Sequence, residues 1–200
     1  MGKWIKDFYL VEKDEFSQEI LAKIDDFAQK VTSETYDRFS YDYERRMETI
    51  RIGKLSEEVF AKFMFDEYNI RLEINYDIYE GIDNVDEDDF EVNGFKIDIK
   101  SSKDTKKAGF EKCFSSFNFP VPADQEVKDV TYSIIYSFDL RYYIICAAIF
   151  KNDYLSKQHF GKLDVGGGVY RTFRLCKLTN GSKVKRVTDW IVAHKKENWF

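Results

Sequence analysis

Two neighbouring segments of this chain, residues 131–138 (TYSIIYSF) and 141–150 (RYYIICAAIF), are almost continuously apolar and rich in β-branched and aromatic side chains. Strands of this composition are typical of the interior of a sheet, where neighbouring elements cover both faces. The sequence therefore predicts a central sheet on which other elements must pack. A chain of 200 residues that is 44% hydrophobic can supply the core that such a sheet needs.

Helical periodicity dominates the region before this sheet. Apolar residues recur every three or four positions from Phe16 to Val31, which predicts a helix over roughly 14–31. The same rhythm resumes from Tyr36 to Ile50, and it predicts a second helix. A third helix, with one broad apolar face, is expected after Gly53.

Strand signals follow the helices. Residues 71–79 alternate between apolar and polar, which predicts a strand with one buried face, and 169–178 is also typical of a strand. The stretch 110–128 contains both prolines and has no clean period, so it is predicted to be a connecting loop. This order indicates a mixed α/β domain with helices packed on a central sheet. We interpret 1–52 as an N-terminal helical segment and 53–200 as the α/β core.

Composition excludes several classes of protein. No apolar run approaches the roughly 20 residues that a membrane-spanning helix needs, and the first residues are charged throughout, so we expect a soluble cytoplasmic protein without membrane contact. The three cysteines are too few and too widely spaced for a disulfide framework. The net charge of −5 is unevenly distributed. Residues 71–100 hold three basic and ten acidic side chains, whereas 171–200 hold eight basic and two acidic ones.

The most informative segment is 88–102 (DDFEVNGFKIDIKSS), in which Asn93-Gly94 separates two alternating runs. This dipeptide is the strongest short-range signal for a β-hairpin, and it fixes the pairing register. With Asn93 and Gly94 as the two loop residues, the predicted facing pairs are Val92 with Phe95, Glu91 with Lys96, Phe90 with Ile97 and Asp89 with Asp98.

Two facing aspartates are unfavourable unless a proton or a cation neutralises them, because their Cβ atoms lie about 5 Å apart. A hard divalent cation such as Mg²⁺ binds carboxylate oxygens and keeps water in its other positions, which leaves room for a phosphate. Lys100, two residues after Asp98, projects to the same side of the strand. A solvated hairpin face without function is the alternative interpretation.

An acid, an acid-x-lysine on the next strand and an upstream helical glutamate resemble the PD-(D/E)xK nuclease superfamily, the fold group of restriction endonucleases. The resemblance covers about residues 53–150, with Asp88 where the motif name has proline and Asp98 in place of the commoner glutamate. It implies a restriction endonuclease-like fold and a Mg²⁺ cofactor, with Mn²⁺ as a substitute. It further implies that Asp89, Asp98, the Ile99 carbonyl and Glu57 bind the metal and that Lys100 positions or activates water.

The resemblance implies a Mg²⁺-dependent DNA endonuclease, and a homodimer would allow both strands to be cut at a symmetric site. Asp83 remains an alternative to Asp89 as the first ligand, and RNA remains an alternative substrate. A catalytically inactive nuclease-like subunit that binds DNA or serves in an assembly is the alternative function. Phosphate contacts are expected from the surrounding basic residues, namely Lys103, Lys106, Lys107, Lys183, Lys185, Arg186, Lys195 and Lys196.

Overall fold

A computed structural model describes residues 1–34, 42–78, 88–103, 118–123, 125–137, 139, 141–157, 159–162, 169–174 and 183–198. The strands are β1 (Lys3–Ile5), β2 (Phe8–Glu12), β3 (Phe90–Val92), β4 (Phe95–Lys103), β5 (Asn118–Pro122), β6 (Val130–Tyr136), β7 (Tyr142–Phe150), β8 (His159–Lys162) and β9 (Val169–Arg174). The helices are α1 (Gln18–Glu34), α2 (Tyr43–Tyr68), α3 (Lys151–Lys157) and α4 (Lys183–Ala193), with 3₁₀ turns at Lys13–Glu15 and Lys196–Asn198.

A six-stranded mixed sheet forms the centre of the fold, in the order β1-β2-β7-β6-β4-β3. Strands β4 and β6 are parallel, and the other neighbours are antiparallel. Strands β5, β9 and β8 form a second, three-stranded antiparallel sheet. The prediction of a mixed α/β domain with helices packed on a central sheet is therefore confirmed, and the predicted apolar strands are β6 and β7.

The two faces of the large sheet carry separate hydrophobic cores. The larger core contains Phe60 and Phe63 of α2 and Ile191 of α4, packed on residues such as Tyr132 of β6. The rings of Phe60 and Tyr132 lie 4.6 Å apart. The smaller core surrounds Tyr154 of α3 on the other face. Both faces of β7 contribute to a core, with Tyr143 and Ile145 in the larger one and Ile144 and Ala147 in the smaller one, which explains why its sequence is apolar at almost every position.

Helix α2 corrects the prediction of two separate helices on either side of Gly53. It is continuous from Tyr43 to Tyr68, because a glycine lowers helix stability by about 1 kcal/mol but does not end a helix. Its real boundaries are Asp42, whose side chain accepts a hydrogen bond from the Arg45 N–H, and Asn69, which adopts a left-handed conformation. The earlier part of the second predicted helix lies outside the described residues.

The predicted helical segment 1–52 also contains strands. Strand β2 pairs with β7 in the six-stranded sheet, and β1 pairs with β2, so the prediction was wrong for residues 3–12. Burial alternates along β2, where Tyr9 and Val11 are fully buried, although its sequence FYLV is apolar at all four positions. The proposed boundary between 52 and 53 falls inside helix α2.

The predicted strand at 71–79 is not a strand among the described residues 71–78, although its alternation is real. Leu72, Ile74 and Tyr76 are half-buried and pack against the larger core, while the residues between them are exposed. The segment packs on helices instead of a neighbouring strand, with the Tyr76 ring against Phe27 of α1 and its hydroxyl donating to Glu58 of α2. The predicted loop 110–128 was also wrong in part, because 118–122 forms strand β5.

Candidate functional site

The β3–β4 hairpin has the register that the sequence predicted. Phe90 pairs with Ile97, Glu91 with Lys96 and Val92 with Phe95. Asn93 and Gly94 both have positive φ angles, 51° and 86°, as a tight hairpin turn requires. The turn is anchored to helix α4, because the Asn93 side-chain amide donates to the carbonyl oxygens of Ile191 and Val192 at 3.0 and 2.9 Å.

Asp89 lies immediately before β3 begins, and among the described residues β4 has no strand partner on this side beyond Ile97. Its backbone N–H donates to the Ile97 carbonyl at 3.2 Å, which extends the hairpin by one bond. Its carboxylate Oδ2 accepts from the Ile99 N–H at 2.5 Å. This carboxylate therefore lies beside the middle of β4, within one residue of Asp98.

Asp98 and Lys100 lie on β4, on the face opposite Ile97 and Ile99. The Lys100 ammonium donates to Asp98 Oδ1 at 2.7 Å, and the two side chains are 29% and 18% exposed. The alternation of β4 brings these two groups together, as the sequence predicted. Solvent reaches both of them, so a dissolved ion or a phosphate could do so as well.

The electrostatics of Asp89 reflect this arrangement. Burial and the nearby negative charge of Asp98 raise the pKa of Asp89 to about 6. The Ile99 N–H and the charges of Lys100 and Lys54 oppose this rise. The carboxylate pair therefore favours either a proton or a cation, which is the conflict that the facing acids predicted.

Glu57 lies on the buried face of α2. It is 9% exposed, and its Oε2 lies 2.8 Å from the ammonium of Lys54, which is 6% exposed. Sequence reasoning overlooked Lys54, whose position three residues before Glu57 places it on the same side of the helix. Lys54 links the helix to the hairpin acids, because its charge acts on Asp89.

The structure does not assemble a complete ligand set. Among the described residues, no three His, Cys, Asp or Glu side chains form a group that could hold a metal ion. The predicted carboxylates Asp89 and Asp98 are neighbours, whereas Glu57 does not join them in such a group. Asp83, the alternative first ligand, lies outside the described residues.

Asp88, at the position of the motif's proline, forms ion pairs with two lysines. Its carboxylate lies 2.8 Å from the ammonium groups of both Lys96 and Lys128. Burial alone would raise the pKa of Asp88, but these two cations hold it below its usual range. Asp88 therefore joins the hairpin to the segment that leads into β6.

The predicted phosphate-contacting residues have different surroundings. Lys185 pairs with Asp189 at 3.0 Å, and Lys196 pairs with Asp129 at 2.6 Å. Arg186 and Lys195 are exposed. The other four fall outside what the structure describes, Lys106 and Lys107 as whole residues and Lys103 and Lys183 in their side chains.

No protein-family model, curated protein or solved structure matches this chain. Within the described ranges, no helix is long and apolar enough to cross a membrane. The geometry of the Asp89, Asp98 and Lys100 cluster, which we call the hairpin site, is therefore the basis for assigning a function.

The raised pKa of Asp89 predicts that Asp89→Asn stabilises the protein when no divalent cation is present. The folded state binds the Asp89 proton more tightly than the unfolded state, so the wild type loses stability as the pH rises through 6. We expect the variant to gain up to about 3 kcal/mol in unfolding free energy at pH 8, and progressively less towards pH 4. Urea denaturation at several pH values measures this gain. An equal gain at pH 5 and pH 8 would contradict the assignment.

Proposed function

We propose that this chain is a Mg²⁺-dependent DNA endonuclease that hydrolyses phosphodiester bonds at the hairpin site. The single observation that carries the proposal is the close association of Asp89, Asp98 and Lys100 beside the middle of β4. Two neighbouring carboxylates that repel each other suit a hard cation, and a lysine beside them suits a phosphate. A restriction endonuclease-like arrangement of the sheet is part of the proposal.

The donor set fits Mg²⁺ in its chemistry. Asp89 and Asp98 offer carboxylate oxygens, the Ile99 carbonyl offers a third, and Mg²⁺ commonly completes its shell with water. When bound, Mg²⁺ would supply positive charge that polarises a phosphoryl oxygen and lowers the pKa of water. Mn²⁺ would serve the same purpose. Glu57 would contribute only if it exchanged its contact with Lys54 for one at the site.

Residues of the chain would attract the phosphate, orient the Asp89 carboxylate and contact the DNA backbone. Lys100 holds a positive charge next to the two acids, where it can attract the scissile phosphate and stabilise the negative charge that develops on it. The Ile99 N–H fixes the orientation of the Asp89 carboxylate. Arg186 and Lys195, both exposed, are candidates for contacts with the DNA backbone away from the centre. A cytoplasmic homodimer is the form in which we propose that the enzyme acts.

A second function is favoured by a specific observation. Lys100 and Lys54 are each paired with a proposed ligand, and no three-ligand group exists among the described residues. A nuclease-like subunit that binds DNA or serves in an assembly without cutting would have such internally neutralised acids. The two functions differ in whether DNA is broken.

Cleavage of supercoiled plasmid separates them. Wild-type protein is incubated with Mg²⁺, with Mn²⁺ or with EDTA, beside Asp98→Ala, Lys100→Ala and the control Glu91→Ala. Glu91 is an exposed acid of the same hairpin that faces Lys96 instead of the site. We expect nicked and linear DNA only with a divalent cation, and only from the wild type and the control. An inactive wild type, or equal cleavage by the Asp98 or Lys100 variant, would refute the enzymatic function.

A further inference from the structure

Strand β6 carries two polar side chains directly beside the hairpin site. In the parallel pairing of β4 with β6, Thr131 is the partner of Asp98, and Ser133 is the partner of Lys100. Partners in a sheet project to the same face, and adjacent strands lie about 4.8 Å apart. The hydroxyls of Thr131 and Ser133 therefore lie on the same face as the acid and the lysine.

These hydroxyls are buried and lack strong hydrogen bonds. Thr131 is 2% exposed, and its hydroxyl has no hydrogen-bond partner among the described residues. Ser133 is 0% exposed, and the polar group described beside its hydroxyl is the weakly hydrogen-bonding thiol of Cys146. A buried hydroxyl that makes no hydrogen bond destabilises a fold, so such groups are uncommon and call for a physical explanation. Thr188 provides the contrast within this chain. It is equally buried, and its hydroxyl donates to the Val184 carbonyl at 2.7 Å and lies 2.8 Å from the Tyr132 hydroxyl.

The strongest polar partners within reach of these hydroxyls lie on the β4 side, because the Cys146 thiol beside Ser133 on the β7 side is a weak hydrogen-bonding group. On the β7 side of β6, the partners of Thr131 and Ser133 are Ile149 and Ala147, which have no polar side-chain atoms. On the β4 side, the partners are Asp98 and Lys100. Ile149 and Ala147 belong to the smaller hydrophobic core.

Asp98 and Lys100 can each take a further hydrogen bond. In the described structure they bind each other, through Asp98 Oδ1 and the Lys100 ammonium at 2.7 Å. A carboxylate accepts several hydrogen bonds, an ammonium donates three, and a hydroxyl can do either. If a cation takes Oδ1 of Asp98, it displaces the Lys100 ammonium from that oxygen, and both side chains then need new partners to hold their positions.

We propose that Thr131 and Ser133 are positioning residues of the hairpin site. When Asp98 turns from Lys100 towards a bound divalent cation, the Thr131 hydroxyl donates to the Asp98 carboxylate, and the Ser133 hydroxyl accepts from the Lys100 ammonium. The Thr131 hydroxyl thereby gains a partner in the cation-bound state, and the Ser133 hydroxyl gains a stronger one than the Cys146 thiol. This inference rests on the proposed function, because it assigns the two residues to the same metal site.

The test compares thermal stability with Mn²⁺ affinity in four proteins, namely wild type, Thr131→Val, Thr131→Ser and the control Thr188→Val. Valine keeps the shape of threonine and removes the hydroxyl, whereas serine keeps the hydroxyl. We expect Thr131→Val to raise the melting temperature of the metal-free protein by about 2–4 °C, since an unsatisfied buried group is removed. Its Mn²⁺ affinity, measured by electron paramagnetic resonance of free Mn²⁺, should fall about 10-fold or more.

The controls isolate the role of the hydroxyl. Thr131→Ser should bind Mn²⁺ like the wild type, and Thr188→Val should lose stability without losing affinity. A Thr131→Val protein that is less stable, or that binds Mn²⁺ as tightly as the wild type, would overturn the positioning role and leave the proposed nuclease intact. If the wild type binds no divalent cation, both the positioning role and the proposed nuclease function are refuted. This outcome is measured on the wild type alone, before any variant is made.

Ser133→Ala extends the test to the lysine. Because Ser133 would act on Lys100 and not on the cation, we expect this variant to keep its Mn²⁺ affinity and to lose about 10-fold in the rate of plasmid cleavage at saturating Mn²⁺. A loss of affinity equal to that of Thr131→Val would contradict the separate assignment of the two hydroxyls.

Discussion

Replacing Lys100 with methionine is expected to reduce Mg²⁺-dependent DNA cleavage about 10²–10³-fold while strengthening the binding of divalent cations. The opposite directions follow from one contact, in which the Lys100 ammonium lies 2.7 Å from Asp98. Methionine removes the charge that would stabilise the phosphate, so the rate falls. It also removes the cation that competes for Asp98, so Mg²⁺ gains affinity.

A matched control exists on the same strand. Lys96 points to the same face of β4, but its ammonium pairs with Asp88, 2.8 Å away. We therefore expect Lys96→Met to cleave DNA and bind cations nearly as the wild type does. Isothermal titration with Mg²⁺, beside a plasmid cleavage time course, measures both quantities. A Lys100→Met protein that loses cation affinity would show that the lysine supports the acids instead of competing for them.

Lys54→Met is expected to lower the free energy of unfolding by about 3–5 kcal/mol. The Lys54 ammonium and the Glu57 carboxylate are both buried, at 2.8 Å from each other, and the ammonium also lies 5.1 Å from the centre of the Phe27 ring. Methionine fills a similar volume but leaves the Glu57 charge in the interior without its lysine. Breaking such a pair costs far more than the pair itself contributes, because the remaining charge stays out of water.

Two further variants identify the cause. In Lys54→Met combined with Glu57→Leu, no charge remains, and most of the lost stability should return. Lys30→Met breaks an exposed pair with Asp26 on α1, and it should cost less than about 0.5 kcal/mol. Guanidinium denaturation of the four proteins supplies the comparison. A double variant no more stable than Lys54→Met would mean that the lost stability comes from altered packing and not from the buried Glu57 charge.

Local signals predicted the hairpin site well. Asn93-Gly94 determines the turn and thereby the register, so the contact between Asp89 and the strand of Asp98 could be read from a few neighbouring residues. The same holds for Lys100, because alternation along a strand depends on nothing distant. The role of Glu57 was harder to predict, since its burial and its contact with Lys54 depend on how α2 packs.

Sequence patterns could not predict which segments pair when those segments are far apart in the chain. The alternation of residues 71–78 is the same for a strand as for an extended segment lying on helices, and only the presence of a neighbouring strand decides between them. Strand β2 was missed because its partner β7 lies more than a hundred residues later in the chain. Thr131 and Ser133 could not be linked to the acids either, because the parallel pairing of β4 with β6 is not encoded in a short turn.

The anchoring of the Asn93 turn has a consequence for how the protein is made. The two carbonyl oxygens that hold this turn belong to Ile191 and Val192, which follow Asn93 in the sequence by 98 and 99 positions. During synthesis, the acids and the lysine leave the ribosome long before the helix that secures them. A nascent chain therefore carries the chemical groups of the site without their fixed geometry, and the geometry is complete only once translation has passed helix α4.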